Sequence, residues 1–278
     1  MRFAYPTFVV LASVFAVASL FFYGKVREGD RIIGRFVDQA TRGVPAADTD
    51  AVAMALSREV FRRTGNAINA ASLPIYERLE ATSFFNVTSS VSLSHGIYGT
   101  FGSPSFGPCG TMSRVMLRAL EQANIQSRKL QLLDDMNGKG GGHTMLEYRS
   151  NGRWVVLSPS DSSMVWQTHD GRLATLADIQ GDSTIFAQIF ERYPNYPFRF
   201  TNVSHIRWNK LPPAWRSAFR WLLGEQGYRD ALTPYLYDRP RLLFFYLSLG
   251  AFAFCAALAL VTRRAVRRGR RATAAVTA

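Results

Sequence analysis

The chain is poor in cysteine. Its 278 residues hold two, and Cys255 lies inside an uncharged apolar run, so a disulfide framework is excluded. Histidine is scarce as well, with four in all. No spacing of His, Cys, Asp and Glu matches a metal site. His143, Asp161 and His169 come nearest and still lack a ligand pattern, so no metal and no cofactor is expected. Acids are outnumbered, 20 against 33 Lys and Arg, for a net charge of +13. The last sixteen residues carry no acid but six arginines: Arg263, Arg264, Arg267, Arg268, Arg270 and Arg271. That tail adjoins an apolar run, so it reads as the cytoplasmic flank of a membrane segment before it reads as a nucleic-acid patch. No zinc-finger, helicase-like or RNA-binding aromatic motif is present, which excludes nucleic acid as the expected partner. Internal repeats are absent.

What is present begins with two uncharged runs, Phe3 to Tyr23 and Leu242 to Thr262. Each has the length of a membrane span, and a buried core helix is seldom so uniformly apolar. Ala16-Val17-Ala18 also fits signal-peptidase cleavage, but the apolar run continues through Leu20-Phe21-Phe22-Tyr23, which favours an uncleaved anchor. Two spans put both termini on one side, and the arginine tail puts that side in the cytoplasm. The expected organisation is an anchor over 1–24, a connector over 25–47, a globular domain over 48–190, a juxtamembrane region over 191–240, a span over 241–262 and a basic tail over 263–278. The expected localisation is a two-pass cell membrane protein with the middle domain extracytoplasmic. The bilayer is its first partner.

Asp48 to Arg63 has helical spacing, with Asp48 or Thr49 as cap, an apolar side at Val52, Ala53, Leu56 and Val60, and a stop at Gly65-Asn66. Leu73 to Phe84 is a second helix candidate. Ser83 to Gly107 reads as loop and short strands. Asp170-Gly171 suggests a turn between Met164-Val165-Trp166 and Arg172-Leu173-Ala174. Leu176 to Tyr193 reads as partly helical. From Pro213, Trp215, Phe219 and Leu222 share a helix side, and Gly224 closes the helix. That side fits a membrane interface and packing on the domain equally well.

The chain centres on Gly107-Pro108-Cys109-Gly110. Met112, Val115, Met116, Ala119, Leu120 and Ala123 recur at helical spacing after it, with Arg114, Arg118, Glu121 and Gln122 opposite. Asn124 suits a left-handed C-cap. Cys109 therefore opens a helix, where unpaired N–H groups and the positive dipole end stabilise a thiolate. Three glycines, Gly140 to Gly142, then precede His143 and an alternating strand. Asn151-Gly152 is a two-residue hairpin loop, and Trp154 to Leu157 is the return strand. That register sets Ser158 opposite Met145 and Ser160 opposite His143. Ser158 is then diagonal to His143 on one face, roughly 7–8 Å away between backbones. Asp161 lies beyond Pro159, which frees it from strict alternation. A helix-borne thiol, a strand-borne imidazole and a polar group on the next strand form a nucleophile, base and orienter set. Glu147 shares the His143 face about 13 Å along and reads as structural.

The run from Pro108 to Asp161, about one fifth of the chain, resembles the transglutaminase-like core of the papain-like cysteine enzymes. In that family a Cys opens a helix, a His starts a strand, and an Asp ends the next strand in a pattern like W-V-x-x-D-P. Here Cys109, His143 and Trp154 to Pro159 fall in that order, and Ser158 holds the position of the family Asp. The resemblance implies an α+β fold, with a papain-like, transglutaminase-like core in which the Cys-bearing helix packs on an antiparallel sheet. It also implies acyl chemistry through a thioester, by hydrolysis or acyl transfer. Cys109 would be nucleophile, His143 base and acid, and Ser158 or Asp161 the orienter. The substrate would be a peptide or protein amide, or an envelope polymer. A catalytically inactive domain that binds an envelope peptide, protein or glycan is the alternative that Ser158 raises.

Overall fold

A computed structural model describes residues 4–63, 108–133, 142–208 and 211–276. The helix expected over Leu73 to Phe84, the stop at Gly65-Asn66, the Ser83 to Gly107 stretch, and Gly140-Gly141 lie outside the described residues. In chain order the elements are helix α1 (Ala4–Ala40), α2 (Thr49–Arg63), α3 (Pro108–Gln122), strands β1 (Ser127–Leu133), β2 (Gly142–Ser150), β3 (Arg153–Ser158) and β4 (Met164–Val165). Three short helices follow, α4 (Leu176–Gly181), α5 (Ser183–Ala187) and α6 (Ile189–Arg192). Strand β5 (Val203–Ser204), α7 (Pro213–Asp230), a 3-10 turn (Tyr235–Asp238) and α8 (Pro240–Val276) complete the chain. The fold is α+β with an antiparallel sheet.

The chain divides into two units, residues 1–30 with 239–278, and residues 31–238. In the first, two helical segments are long and apolar enough to cross a membrane. Ser19 Oγ meets Ser248 Oγ at 3.0 Å, and Phe22 and Phe244 lie with ring centroids 5.3 Å apart. The outward residues are apolar and bare: Val17 is 68% exposed and Leu20 72%. Soluble proteins rarely expose such continuous apolar surface.

In the second unit the sheet order is β4-β3-β2-β1-β5. Both faces are covered, so consecutive residues of the central strand β2, His143 through Tyr148, are all buried. One face packs under α2, α3 and the last turns of α1, joining Ile33, Phe36, Leu56, Met116, Leu120, Leu146 and Tyr148. The other joins Leu130, Met145, Val156 and Trp166 to Ile179, Ile185 and Ile189 of the short helices, with Tyr196 and Phe200. Neighbours Met145 and Leu146 enter opposite clusters, as strand geometry requires. Truncating a fully buried residue such as Leu120 or Leu146 to Ala costs about 2–5 kcal/mol.

Local signals explain several boundaries. Asp48 Oδ1 accepts the Ala51 N–H at 2.9 Å, so Asp48 caps α2. Val52, Ala53, Leu56 and Val60 are buried as their spacing requires. Trp166 and Ala174 pair across the Asp170-Gly171 turn (2.8 Å), with Gly171 at φ 79°. The segment read as a connector is helical to Ala40 and buries Ile32, Ile33, Phe36 and Val37. Gly224, at φ 69°, breaks the α7 helix at the position read as its end.

Candidate functional site

Helix α3 places the thiol. Asn124 adopts φ 59°, its N–H bonds Glu121 O at 2.9 Å, and the Ile125 N–H bonds Leu120 O at 2.8 Å. This paired closure is a Schellman motif with Asn in the left-handed position. Met112, Val115, Met116, Ala119 and Leu120 are buried beneath the helix. Ser113 Oγ donates to Thr144 O at 2.9 Å, which ties the helix to the start of β2. Cys109 sits in the first helical turn, half-buried, as a free thiol.

The strands place the imidazole. Asn151 and Gly152 both have positive φ, 48° and 76°, the backbone of a tight hairpin turn whose twist matches its strands. The register follows from it: Ser150 faces Arg153, Tyr148 faces Val155, and Leu146 faces Leu157. At the other end Gly142 has φ 151°, and a Cβ there would lie 2.6 Å from Leu132 O. Only glycine admits the β1 backbone so close. His143 follows immediately, 4% exposed.

The orienting group arrives by a turn. The β2–β3 pairing ends at Leu146 and Leu157, so Ser160 does not pair with His143. Strand β3 stops at Ser158, before Pro159, which has no N–H to continue a ladder. Ser162 and Ser163 take positive φ, 51° and 59°, and the Met164 N–H closes on Asp161 O at 3.0 Å. The turn carries Asp161 back over the sheet. His143 Nε2 lies 2.9 Å from Asp161 Oδ2. Ser158 Oγ donates to the same oxygen at 2.6 Å, and Tyr196 OH does so at 2.9 Å. Ser158 therefore supports Asp161 and does not itself hold the ring. With Nε2 engaged, Nδ1 is the ring nitrogen left for the thiol.

Electrostatics couple the three groups. Burial pushes the Cys109 thiol up, but its hydrogen bond with His143, that ring's charge, the Thr144 backbone and the charge of Arg207 outweigh burial and bring it below the usual thiol value. Burial would lower His143, yet hydrogen bonds and charges from Asp161 and Cys109 raise it to about 9. Asp161 is held below the usual carboxylate value against its burial, by His143 first and then Ser158 and Tyr196. All three shifts favour thiolate, imidazolium and carboxylate together.

Two contributors escaped sequence reasoning. Phe198 stacks on the His143 ring at 4.5 Å between centroids and 18° between planes, and Tyr196 meets that ring edge-on at 6.1 Å. The alternation of aromatics at 196, 198 and 200 was the available signal, but nothing local tied it to a strand some fifty residues earlier. Glu147 is buried and paired with Arg128 at 2.7 Å, a structural role. His169 pairs with Asp182 at 2.9 Å on the surface. Among the described residues no three His, Cys, Asp or Glu side chains converge as metal ligands would. Compared with family models, with curated proteins and with solved structures, the chain matches none.

Proposed function

We propose that this chain is a membrane-anchored cysteine enzyme of transglutaminase-like type with a papain-like core, cleaving or transferring acyl groups at amide or ester bonds. The observation that carries the reading is the acid, base and thiol in sequence: Asp161 on His143 Nε2 at 2.9 Å, and Cys109 coupled to the same ring. A Cys–His pair works when the imidazole is held in one tautomer and orientation, and a buried carboxylate on the far nitrogen does that. The Asp161 contact supports the enzyme over a binding-only domain, because Ser158 in the usual acidic position was the ground for that alternative.

Each step balances on these groups. The Cys109 thiolate attacks the substrate carbonyl carbon, and the C=O electron pair moves to oxygen. The backbone N–H of Cys109, at the helix start, is the donor assigned to that oxyanion. His143 gives its Nδ1 proton to the leaving amine or alcohol, the C–N or C–O bond breaks, and a thioester remains. Neutral His143 then takes a proton from water or an acceptor amine, which attacks the thioester and expels the thiolate. Asp161 remains ionised throughout and steadies the imidazolium.

The two apolar helices and the arginine tail support a two-pass arrangement, with the tail cytoplasmic and residues 31–238 outside. Peptide or protein amides and envelope polymers are then the accessible substrates. The test is release of ammonia or amine from envelope peptides by the full chain. Activity lost in Cys109→Ala supports the reading, and equal rates in wild type and Cys109→Ala overturn it.

A further inference from the structure

Beside the thiol lies a cavity of about 430 Å³, within the size range of small-molecule sites. Gly110 and Thr144, the chain neighbours of Cys109 and His143, form the end nearest the site. Its charged lining is cationic. Arg114 and Lys129, both buried, share Asp238, with Arg114 Nε at 3.4 Å and Lys129 Nζ hydrogen-bonded. Arg207 completes the set, and its Nε is buried without a hydrogen-bond partner. Three cations thus line the cavity, and among the described residues Asp238 is the acid that meets two of them. Burial and the neighbouring cations bring Lys129 down to about 8 despite Asp238. An incoming anion offsets the cost of that buried positive charge.

Among the described residues the rest of the wall is mainly apolar, with Trp208, Leu211, Phe219, Leu223, Leu232 and Pro234. Phe219 and Leu223 come from α7. Phe219 turns inward, 5.8 Å from Trp208 between ring centroids. The same helix leaves Trp221 86% exposed and Leu222 68% exposed. Exposed tryptophan suits the headgroup level of a bilayer, and only ten residues separate Asp230, where α7 ends, from Arg241 at the start of the second apolar segment. One helix therefore forms an apolar cavity wall and a membrane-seeking outer side.

We infer that the cavity binds an anionic amphiphile drawn from the membrane and presents it to Cys109, with its chain along Trp208, Phe219, Leu223 and Leu232 and its anion at Arg207, Lys129 and Arg114. Presentation for turnover rests on the thioester reading, whereas binding does not. A lipid carboxylate and a lipid phosphate share the recognised chemistry.

The experiment is photo-crosslinking of the full chain in detergent micelles with a diazirine-bearing dodecanoate, against a diazirine-bearing dodecylamine, followed by peptide mapping. The carboxylate probe should label residues 206–234, and the amine probe should not. Dodecanoate and dodecyl phosphate as competitors show which headgroup binds better, while acetate and inorganic phosphate, lacking a chain, should fail. Arg207→Gln should reduce labelling about tenfold, the loss expected of one charge-assisted hydrogen bond. Ala231→Phe, which narrows the cavity from its uncharged lining, should reduce it too. Cys109→Ala should label like wild type. If Cys109→Ala labels normally and wild type turns nothing over, the cavity assignment stands and the thioester reading falls. Equal labelling by both probes, or displacement by a short acidic peptide but not by dodecanoate, overturns the inference.

Discussion

Ser158 and His143 meet at one atom: each is hydrogen-bonded to Asp161 Oδ2, at 2.6 Å and 2.9 Å. The serine that occupies the expected acidic position thus stands behind an aspartate displaced by three residues. Asp161→Ala should lower turnover by roughly 10³-fold or more, judged by what a triad carboxylate contributes. Ser158→Ala should cost about tenfold, the worth of one hydrogen bond to a charged group. Steady-state rates of the two variants decide the order, and a larger loss in Ser158→Ala would reverse the assignment.

Ser158→Asp should lower activity. The new carboxylate would stand against Asp161 by like-charge repulsion, and the Ser158 hydroxyl that donates to Asp161 Oδ2 is lost. The added negative charge favours the imidazolium, so a nuclear magnetic resonance titration of the His143 ring should show its pKa at or above about 9. A gain in activity, or a fall in the ring pKa, would contradict this.

Thiol reactivity and turnover should separate at high pH. Iodoacetamide reads the thiolate, so alkylation of Cys109 should rise through a pKa below the usual thiol value and stay high. Turnover also needs the imidazolium proton for the leaving group. It should therefore rise over the same range and fall as His143 deprotonates near pH 9. His143→Ala should slow alkylation near neutral pH. Parallel profiles for both reactions would remove the imidazolium from the mechanism.

Two backbone positions are legible in the residues themselves. Asn151-Gly152 predicts a hairpin register, and the observed pairs follow it from Ser150–Arg153 to Leu146–Leu157. Asn124 predicts a left-handed cap, and φ is 59°. Both are local: a few residues and their φ preferences suffice. Substituting Val at either Asn124 or Gly152 should therefore cost about 1–2 kcal/mol, the penalty for a side chain forced left-handed, read as a lowered denaturation midpoint. Asn124→Gly should be nearly neutral.

Long-range placement was not legible. The path of Asp161 depends on Ser162 and Ser163 in a conformation that non-glycine residues seldom adopt, so no local rule announces it. Tyr196 reaches Asp161 across 35 residues. Helical spacing places Arg114 on the polar side of its helix, yet Arg114 is buried, with Asp238, far along the chain, as a counter-charge.

Topology has its own test. Alkaline phosphatase fused after Ser150 should be active and a green fluorescent protein after Ala278 should fluoresce, since the arginine tail favours the cytoplasm. A dark terminal fusion with an inactive internal phosphatase would invert the arrangement.

The most direct test of the central claim is acylation itself. The full chain in detergent is mixed with p-nitrophenyl acetate, quenched, and read by intact mass and peptide mapping. The predicted result is one acetyl group on Cys109, formed in a burst with nitrophenolate, absent in Cys109→Ala and slowed about 100-fold in His143→Ala. Acylation elsewhere, or equal rates in wild type and His143→Ala, would contradict a Cys109–His143–Asp161 acyl-transfer site.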